Sequence, residues 1–271
     1  MSTLTELVAN LKEDFPQETI SLPLFDFNLN AVVSTPQPKY LFRGERSADW
    51  KTSTSTFARE KILQRDDFAE INHFLSGRHY PTGIEYPDYH YSLYNFVRET
   101  LFDPNGLHED APSIDFAIAG LMQHYGFDTA FLDVTSDVRI AATFAATGKV
   151  GDRGQLMVLQ TEGLQDEYFD LSMLPGHRPK IQHAFALWGT GQLDLKSADF
   201  LSRYGAKWFA FTLSEQDLLT FANSDILSGA GDEVITIIVD WYDAHVRRHP
   251  QISPTVVQYF TEKIEALKKC I

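Results

Sequence analysis

Residues 120–136 constrain the fold of this chain more than any other stretch. Their sequence, GLMQHYGFDTAFLDVTS, indicates a helix end, a tight turn, a buried strand and then polar residues that open another helix. Gly126 stands where a helix ends in a left-handed residue, and Thr129–Val134 is a short apolar run that favours a buried strand. Ser136 is suited to cap the alanine-rich helix that we predict at residues 138–146.

A strand that leads directly into a helix N-terminus predicts a binding site, because the backbone N–H groups there attract an anion such as a pyrophosphate. A purely structural core would not place many polar groups beside short apolar strands. Six polar side chains gather at this point: Gln123, His124, Tyr125, Asp133, Thr135 and Ser136. The structural alternative is that Gln123 and His124 cap carbonyls at the helix end and that Asp133 pairs with an arginine.

Arg43 is the candidate partner for a phosphate. Residues 40–44 predict a short strand that ends in a turn, and a guanidinium at that point can bind phosphate oxygens in a forked geometry that lysine cannot match. Gly44 would allow a ligand or a backbone segment to approach closely. The structural alternative is a buried ion pair between Arg43 and Asp133 or Glu45.

Two blocks of the sequence resemble the FRG domain, a family named for a Phe-Arg-Gly tripeptide. The tripeptide stands at residues 42–44, and Trp50 and Arg59 follow it at about the family's spacing. The second block is Gln-His-Tyr-Gly followed by Leu-Asp-x-Thr and an alanine-rich tail, at residues 123–145. It departs from the family pattern at residues 128–130, where Asp-Thr-Ala replaces Pro-Thr-Arg, and at Val134, which replaces a tryptophan.

A third block, from Arg178 through Gln182 to Phe185, also resembles the family, although Ala184 stands where a glycine is expected. With this block, the resemblance extends over about residues 40–225. It implies a fold more than a reaction.

The predicted order of elements is also similar to that of the arginine–serine–glutamate class of ADP-ribosyltransferases. This similarity implies that Arg43 holds a phosphate of NAD, and that Thr135 and Ser136 shape the nicotinamide pocket. Gln182 takes the position of the catalytic glutamate, and an amide stabilises a developing cation less well than a carboxylate. Either another acid, Asp133 or Glu233, supplies that charge, or the chain binds a nucleotide without cleaving it.

The residues and the resemblances together give two sets of candidate site residues. No metal site is predicted, because the spacings of the histidines fit no metal signature. The candidate catalytic residues are Arg43, His124, Asp133 and Gln182. The candidate residues for binding NAD, as a substrate, or a related nucleotide are Arg43, Gln123, Tyr125, Thr135 and Ser136.

The expected fold class is α+β. We predict a single domain with a small mixed β-sheet core and a helical block inserted between the first and second core strands, similar to the ADP-ribosyltransferases. Residues 1–38 form a helix and a mostly irregular lead-in, residues 39–250 the FRG-like domain, and residues 251–271 a C-terminal helix packed on it. Thr3 and Glu6 predict a capping box at the first helix.

Further elements follow from periodicity and from turn residues. We expect strands at 155–159, 181–188 and 207–212, and one short edge strand around 25–29. Residues 57–102 favour helix with a break at 77–88, the threonine and serine run at 52–56 favours a solvated turn, and residues 233–242 fit either a strand or a helix.

Composition limits the possible functions. The chain has 271 residues, 44% of them hydrophobic, and a formal net charge of −14, which argues against nonspecific nucleic-acid binding. The single cysteine, Cys270, excludes an intrachain disulfide and a cysteine-based metal site. No signal peptide and no membrane-spanning apolar run is evident, so we predict a soluble, cytoplasmic protein without membrane contact.

Three functions remain open. The first is an NAD-dependent ADP-ribosyltransferase-like effector, such as a toxin or a phage-defence protein, with an unknown acceptor. The second is a noncatalytic module that senses a nucleotide. The third is a ribonuclease-like toxin or antiphage effector, in which His124 acts as general base, Arg43 holds the phosphate and His183 acts as acid.

Overall fold

The computed structural model describes eleven segments of the chain: residues 2–26, 31–49, 68–76, 92–102, 112–129, 131–164, 168–172, 174–187, 195–221, 231–247 and 252–269. Trp50, Arg59 and the run at 52–56 lie outside the described residues.

Six strands of the described part of the chain form the central sheet. They are β3 (Tyr40–Glu45), β4 (Leu132–Thr135), β5 (Arg153–Gln160), β6 (Tyr168–Asp170), β7 (Ala184–Leu187) and β8 (Lys207–Thr212), in the order β6-β7-β4-β3-β5-β8. Every pair is antiparallel, so the prediction of a mixed sheet is wrong. Strands β5 and β7 carry continuous runs of buried residues, because packed elements cover both faces of the sheet. Such runs are more typical of parallel strands.

A separate hairpin precedes this sheet. Strands β1 (Thr19–Asp26) and β2 (Ala31–Pro38) pair antiparallel along their full length, from Thr19 opposite Pro38 to Asp26 opposite Ala31. The prediction of a mostly irregular segment with one short strand is therefore wrong. A two-stranded hairpin consists of edge strands, which tolerate the prolines at 23 and 36.

Helices surround the sheet. They are α1 (Leu4–Asp14), α2 (Phe68–Ser76), α3 (Leu93–Val97), α4 (Pro112–His124), α5 (Val138–Ala145), α6 (His177–Ile181), α7 (Ala198–Arg203), α8 (Glu215–Phe221), α9 (Glu233–His245) and α10 (Pro254–Lys268), and a π-helical turn, Arg98–Phe102, extends α3. Helices α2 to α4 confirm a helical block between β3 and β4, and residues 233–242 are helical. The predicted strand at 181–188 is shorter and follows α6. Among the described residues, every helix is too short or too polar to cross a membrane.

Helix α5 packs directly on β3, and this contact places one wall of the site. A Cβ atom built on Gly44 would lie 1.8 Å from the carbonyl oxygen of Ala141 and 3.0 Å from the Cβ of Ala145. Gly44 therefore allows a helix backbone to approach β3, which is one of the two alternatives predicted for it, a ligand or a backbone segment. The alanines of α5 also allow this close approach.

Two buried carboxylates attach the terminal helices. Asp217 in α8 accepts hydrogen bonds from the backbone N–H groups of Leu4 and Thr5 at the start of α1, whose predicted capping box is also present. Asp128, in the loop after α4, accepts hydrogen bonds from Tyr259 and Lys263 of α10, at 2.9 and 3.1 Å. Both ends of the chain are thus anchored by long-range contacts.

Candidate functional site

A cleft lies beside the two central strands, where they meet the ends of α4 and α6. Phe42 of β3 is opposite Thr135 of β4 in the sheet. The cleft has a volume of about 310 Å³. Its described lining residues are Phe42, Arg43, Gly44, Arg46, His124, Asp133, Val134, Thr135, Ala141, Phe144, Thr147 and Gln182. They include all four predicted catalytic residues and, from the predicted nucleotide-binding set, Arg43 and Thr135.

Arg43 is held firmly in the wall of the cleft. Its Nε donates to Oε1 of Glu45 at 3.2 Å, and its Nη1 donates to the backbone oxygen of Asp133 at 2.8 Å. Glu45 is buried and also accepts a hydrogen bond from Gln155 at 2.5 Å. The structural ion pair between Arg43 and Glu45 thus exists, while Nη2 donates to none of the described residues. Glu45 orients the guanidinium and neutralises part of its charge.

His124, Gln182 and Asp133 form a line of polar groups inside the cleft. Nδ1 of His124 lies 3.1 Å from Oε1 of Gln182, and Nε2 lies 3.5 Å from Oδ1 of Asp133. The His124 side chain is only 4% exposed and that of Asp133 is 32% exposed. Both Nε2 of His124 and Oδ1 of Asp133 are buried and have no hydrogen-bond partner among the described residues.

This line is built where three elements end. His124 is the last residue of α4, and the left-handed Gly126, with a φ of 82°, ends that helix as predicted. Gln182 caps the C-terminus of α6, and its backbone oxygen accepts a hydrogen bond from the Thr135 hydroxyl at 2.8 Å. Thr135 therefore holds the end of β4 against the segment that carries Gln182.

The start of α5 differs from the prediction by one residue. Asp137, not Ser136, is the N-cap, and its Oδ1 accepts from the backbone N–H of Arg139 at 2.7 Å. The carboxylate of Asp137 therefore occupies the position in which the sequence predicted an external anion, and neither Asp137 nor Ser136 lines the cleft. The Ser136 N–H donates instead to the backbone oxygen of His183.

Gln123 and Tyr125 make hydrogen bonds outside the cleft. Oε1 of Gln123 accepts from the hydroxyl of Thr129 at 2.7 Å. Tyr125 is buried and donates to Oδ2 of Asp232 at 2.8 Å, and burial, together with the nearby Asp232 charge, raises the pKa of the Tyr125 hydroxyl well above its ordinary value. These contacts fix the turn after α4, so both residues support the site without lining it.

Two further predicted residues lie away from the cleft. Glu233 is exposed at the first turn of α9 and does not belong to the lining. His183 is exposed, has a φ of 43°, and does not belong to the lining either. The structure therefore leaves Asp133 as the only carboxylate among the described lining residues, and it does not pair His124 with His183.

Sequence reasoning missed several contributors. Arg46 and Thr147 line the cleft, and strand alternation after Gly44 was the only signal for Arg46. Asp232 joins three elements, because it accepts from Tyr125, from the backbone N–H of Arg178 at 2.8 Å, and from Val234 at the start of α9. Its N-cap position was readable from the sequence, but its partners 54 and 107 residues away were not.

Comparison with known families gives one match. A family model of the FRG domain matches residues 38–153, which contain the tripeptide and the second block. The chain carries an FRG domain. This confirms the predicted resemblance, although the match is shorter than the expected 40–225 and ends before the block at 178–185. No curated protein and no solved structure matches the chain, so the similarity of the FRG domain to ADP-ribosyltransferases stays a prediction.

Proposed function

We propose that the cleft of the FRG domain binds NAD or a closely related nucleotide and that Asp133 promotes cleavage of its glycosidic bond. One observation carries the proposal. Asp133 and Arg43 line the same cavity, and the buried Oδ1 of Asp133 has no hydrogen-bond partner among the described residues. A partly buried carboxylate without a donor is costly unless a ligand supplies one.

The two ends of the cleft suit different parts of a nucleotide. Nη2 of Arg43 is available to one phosphate oxygen, while Glu45 fixes the plane of the guanidinium. Because Glu45 also reduces the net charge, this contact should depend on geometry more than on long-range attraction. Phe144, which is half-buried, provides an apolar wall against which a flat ring can pack.

The size of the cavity supports a partial enclosure of the ligand. About 310 Å³ lies at the lower end of the range of small-molecule sites, roughly 300–1,000 Å³. We assign this volume to the nicotinamide and its ribose, with the rest of the dinucleotide extending past Arg43 towards the mouth of the cleft.

Asp133 would act on the ribose. Its carboxylate can accept a hydrogen bond from a ribose hydroxyl, and its negative charge stabilises the positive charge that develops on the sugar as the bond to nicotinamide breaks. Nicotinamide leaves with the electron pair of that bond, and water or another nucleophile then adds to the sugar carbon. Asp133 thus supplies the charge that Gln182 lacks.

The test uses purified protein, titration calorimetry with NAD and chromatography of free nicotinamide. Asp133→Asn keeps the shape of the side chain, and no described residue donates to that carboxylate, so folding should be unaffected. We expect NAD binding within about threefold of wild type and nicotinamide release slowed by at least about 100-fold, as for loss of one electrostatic contact in a catalytic site. Asp137→Asn, which removes a nearby charge outside the lining and keeps a good N-cap, is the matched control.

Two results would refute the proposal. One is the absence of NAD binding at millimolar concentration in the wild type. The other is unchanged nicotinamide release by Asp133→Asn. Arg43→Ala is a poor test, because it would leave Glu45 buried without its partner and so destabilise the fold by about 3–5 kcal/mol. Arg43→Lys keeps the charge but not the fork, and should weaken NAD binding selectively.

The second candidate is a noncatalytic nucleotide sensor. It is favoured by one observation, the neutral amide of Gln182 in the position aligned with the catalytic glutamate. Binding of NAD without nicotinamide release, in wild type and in Asp133→Asn alike, would establish the sensor in place of the enzyme.

A further inference from the structure

We infer that His124 is the general base of the proposed reaction and that Gln182 is the residue that positions it. The inference rests on the proposed function for its catalytic step, whereas the state of the imidazole ring can be measured without any ligand. Its structural basis is the buried line of contacts from Gln182 through His124 to Asp133.

Gln182 determines which ring nitrogen of His124 carries the hydrogen. Oε1 of Gln182 can only accept, and it lies 3.1 Å from Nδ1 of His124. In the neutral ring, this contact places the N–H on Nδ1 and leaves the lone pair on Nε2. Gln182 is itself fixed, because its backbone oxygen is held by Thr135 and its side chain is buried.

The Nε2 atom of His124, which carries the lone pair, lies next to Asp133. His124 lines the cleft, and its Nε2 lies 3.5 Å from Oδ1 of Asp133. Both atoms are buried, and neither has a hydrogen-bond partner among the described residues. Two buried acceptors side by side form a site for one donor group. A hydroxyl of the ligand, or of the nucleophile that attacks it, is the smallest group that fits this requirement.

His124 would take up a proton after nicotinamide has left. Once the bond to nicotinamide has broken, an oxygen lone pair of the nucleophile forms the new bond to the sugar carbon. The proton of that oxygen moves to Nε2 of His124, and the imidazolium then returns it to solvent. Asp133 stabilises both the sugar cation and the imidazolium that follows it, which is why the two side chains are adjacent.

The backbone of His124 is held from a separate direction. Nη1 of Arg178 donates to its carbonyl oxygen at 3.3 Å, and the backbone N–H of Arg178 is bound to Asp232. The ring position is therefore set by the main chain, and its orientation by Gln182. Because the position and the orientation of the ring are set by different contacts, we expect changes at Gln182 to alter catalysis without displacing α4.

The decisive experiment combines turnover and spectroscopy. In His124→Asn, we expect nicotinamide release to fall by about 100-fold or more, the usual contribution of a general base, with NAD affinity within about threefold of wild type. Gln182→Leu should show the same loss, and Gln182→Glu, which still accepts from Nδ1, should retain at least wild-type turnover. A merely structural role of Gln182 would not be rescued by glutamate.

His183→Asn is the matched control. His183 is exposed and outside the lining, and asparagine tolerates its left-handed backbone. We expect wild-type turnover. The ribonuclease mechanism, by contrast, requires both His124 and His183.

The ring itself is observed by nitrogen NMR of protein labelled at histidine, with His124→Asn to assign the signal. In the spectrum of the neutral ring, we expect the proton on Nδ1, and Gln182→Leu should abolish this preference. A proton on Nε2 in the free protein would overturn the inference, as would wild-type turnover by His124→Asn. If the wild type does not bind NAD, the proposed function fails, and the NMR result alone then decides whether Nε2 is free to act as a base.

Discussion

Asp217 offers the clearest test of how the N-terminal helix supports the cleft. Its side chain is fully buried in α8 and accepts five hydrogen bonds. Oδ1 accepts from the N–H and the hydroxyl of Thr5, and Oδ2 accepts from the N–H of Leu4 and from both the N–H and the hydroxyl of Ser214. Helix α1 in turn packs in one apolar cluster with α5, and Ala141 and Phe144 of α5 line the cleft.

Asp217→Asn should lower the free energy of unfolding by about 2–3 kcal/mol. The amide keeps one oxygen, and the best orientation keeps it at Oδ2, where three donors meet. The Thr5 hydroxyl can rotate to accept from the new amide, but the Thr5 N–H loses its partner, at a cost of about 1–3 kcal/mol. The remaining bonds become weaker because they are no longer charge-assisted, and relief from burying a charge offsets part of this loss.

The loss should depend on pH in a defined direction. Burial opposes ionisation of Asp217, but the hydrogen bonds from Thr5 and Ser214 outweigh it and lower the pKa of the carboxyl below its ordinary value. A lowered pKa means that the stabilisation is fully present above the unfolded-state value of about 3.9 and is lost as the pH falls through the folded-state value. The wild type and Asp217→Asn should therefore differ by a constant amount above about pH 5 and converge in stronger acid.

Urea unfolding followed by tryptophan fluorescence, at several pH values from neutral to about 3, measures this difference. Asp243→Asn is the control, because Asp243 is exposed and pairs with Arg247 on the surface, so its loss should cost less than about 0.5 kcal/mol. Equal stabilities of wild type and Asp217→Asn at neutral pH would refute the reasoning. A difference that persists unchanged at pH 3 would refute the assignment to the ionised carboxylate.

Two further predictions concern the supports of the cleft. Gly44→Ala should destabilise the fold by at least about 3 kcal/mol in thermal unfolding, because its Cβ would lie 1.8 Å from the Ala141 oxygen; a cost below about 1 kcal/mol would mean that α5 is free to move away. Tyr125→Phe should cost about 1–2 kcal/mol in urea unfolding, because Asp232 loses one donor but keeps the backbone N–H of Arg178; an unchanged unfolding free energy would show that this hydrogen bond contributes nothing net.

Elements whose structure depends on neighbouring residues in the sequence were predicted correctly. The strand at 207–212 and the capping box of Thr3 and Glu6 were predicted correctly, and Gly126 has the left-handed backbone expected at a helix end. Each of these depends on the side chains of a few neighbouring residues. The N-cap of α5 was displaced by one residue because Ser136 and Asp137 are both good caps, and the contact between Ser136 and His183 decides between them.

Prediction failed where distant parts of the chain determine the result. Strand direction is one example, since a strand buried on both faces has the same composition in parallel and antiparallel sheets. The roles of Tyr125 and Gln123 are another, because polar residues at a helix end can face either the cleft or the core. Only the position of Asp232, 107 residues further along the chain, turns Tyr125 inward.

The tripeptide at 42–44 shows why the core and the cleft of this protein depend on each other. Phe42 packs in the buried cluster with α5 and β5, Arg43 binds the backbone of β4 at Asp133, and Gly44 admits the backbone of α5. The contact that completes the core thus also brings Phe144 to the cleft, and the contact that orients Arg43 also holds the strand that carries Asp133. A change to the packing of β3 must therefore move an aromatic wall or a charged group of the cleft, which explains how a motif of three residues can contribute both to the fold and to the shape of the cleft.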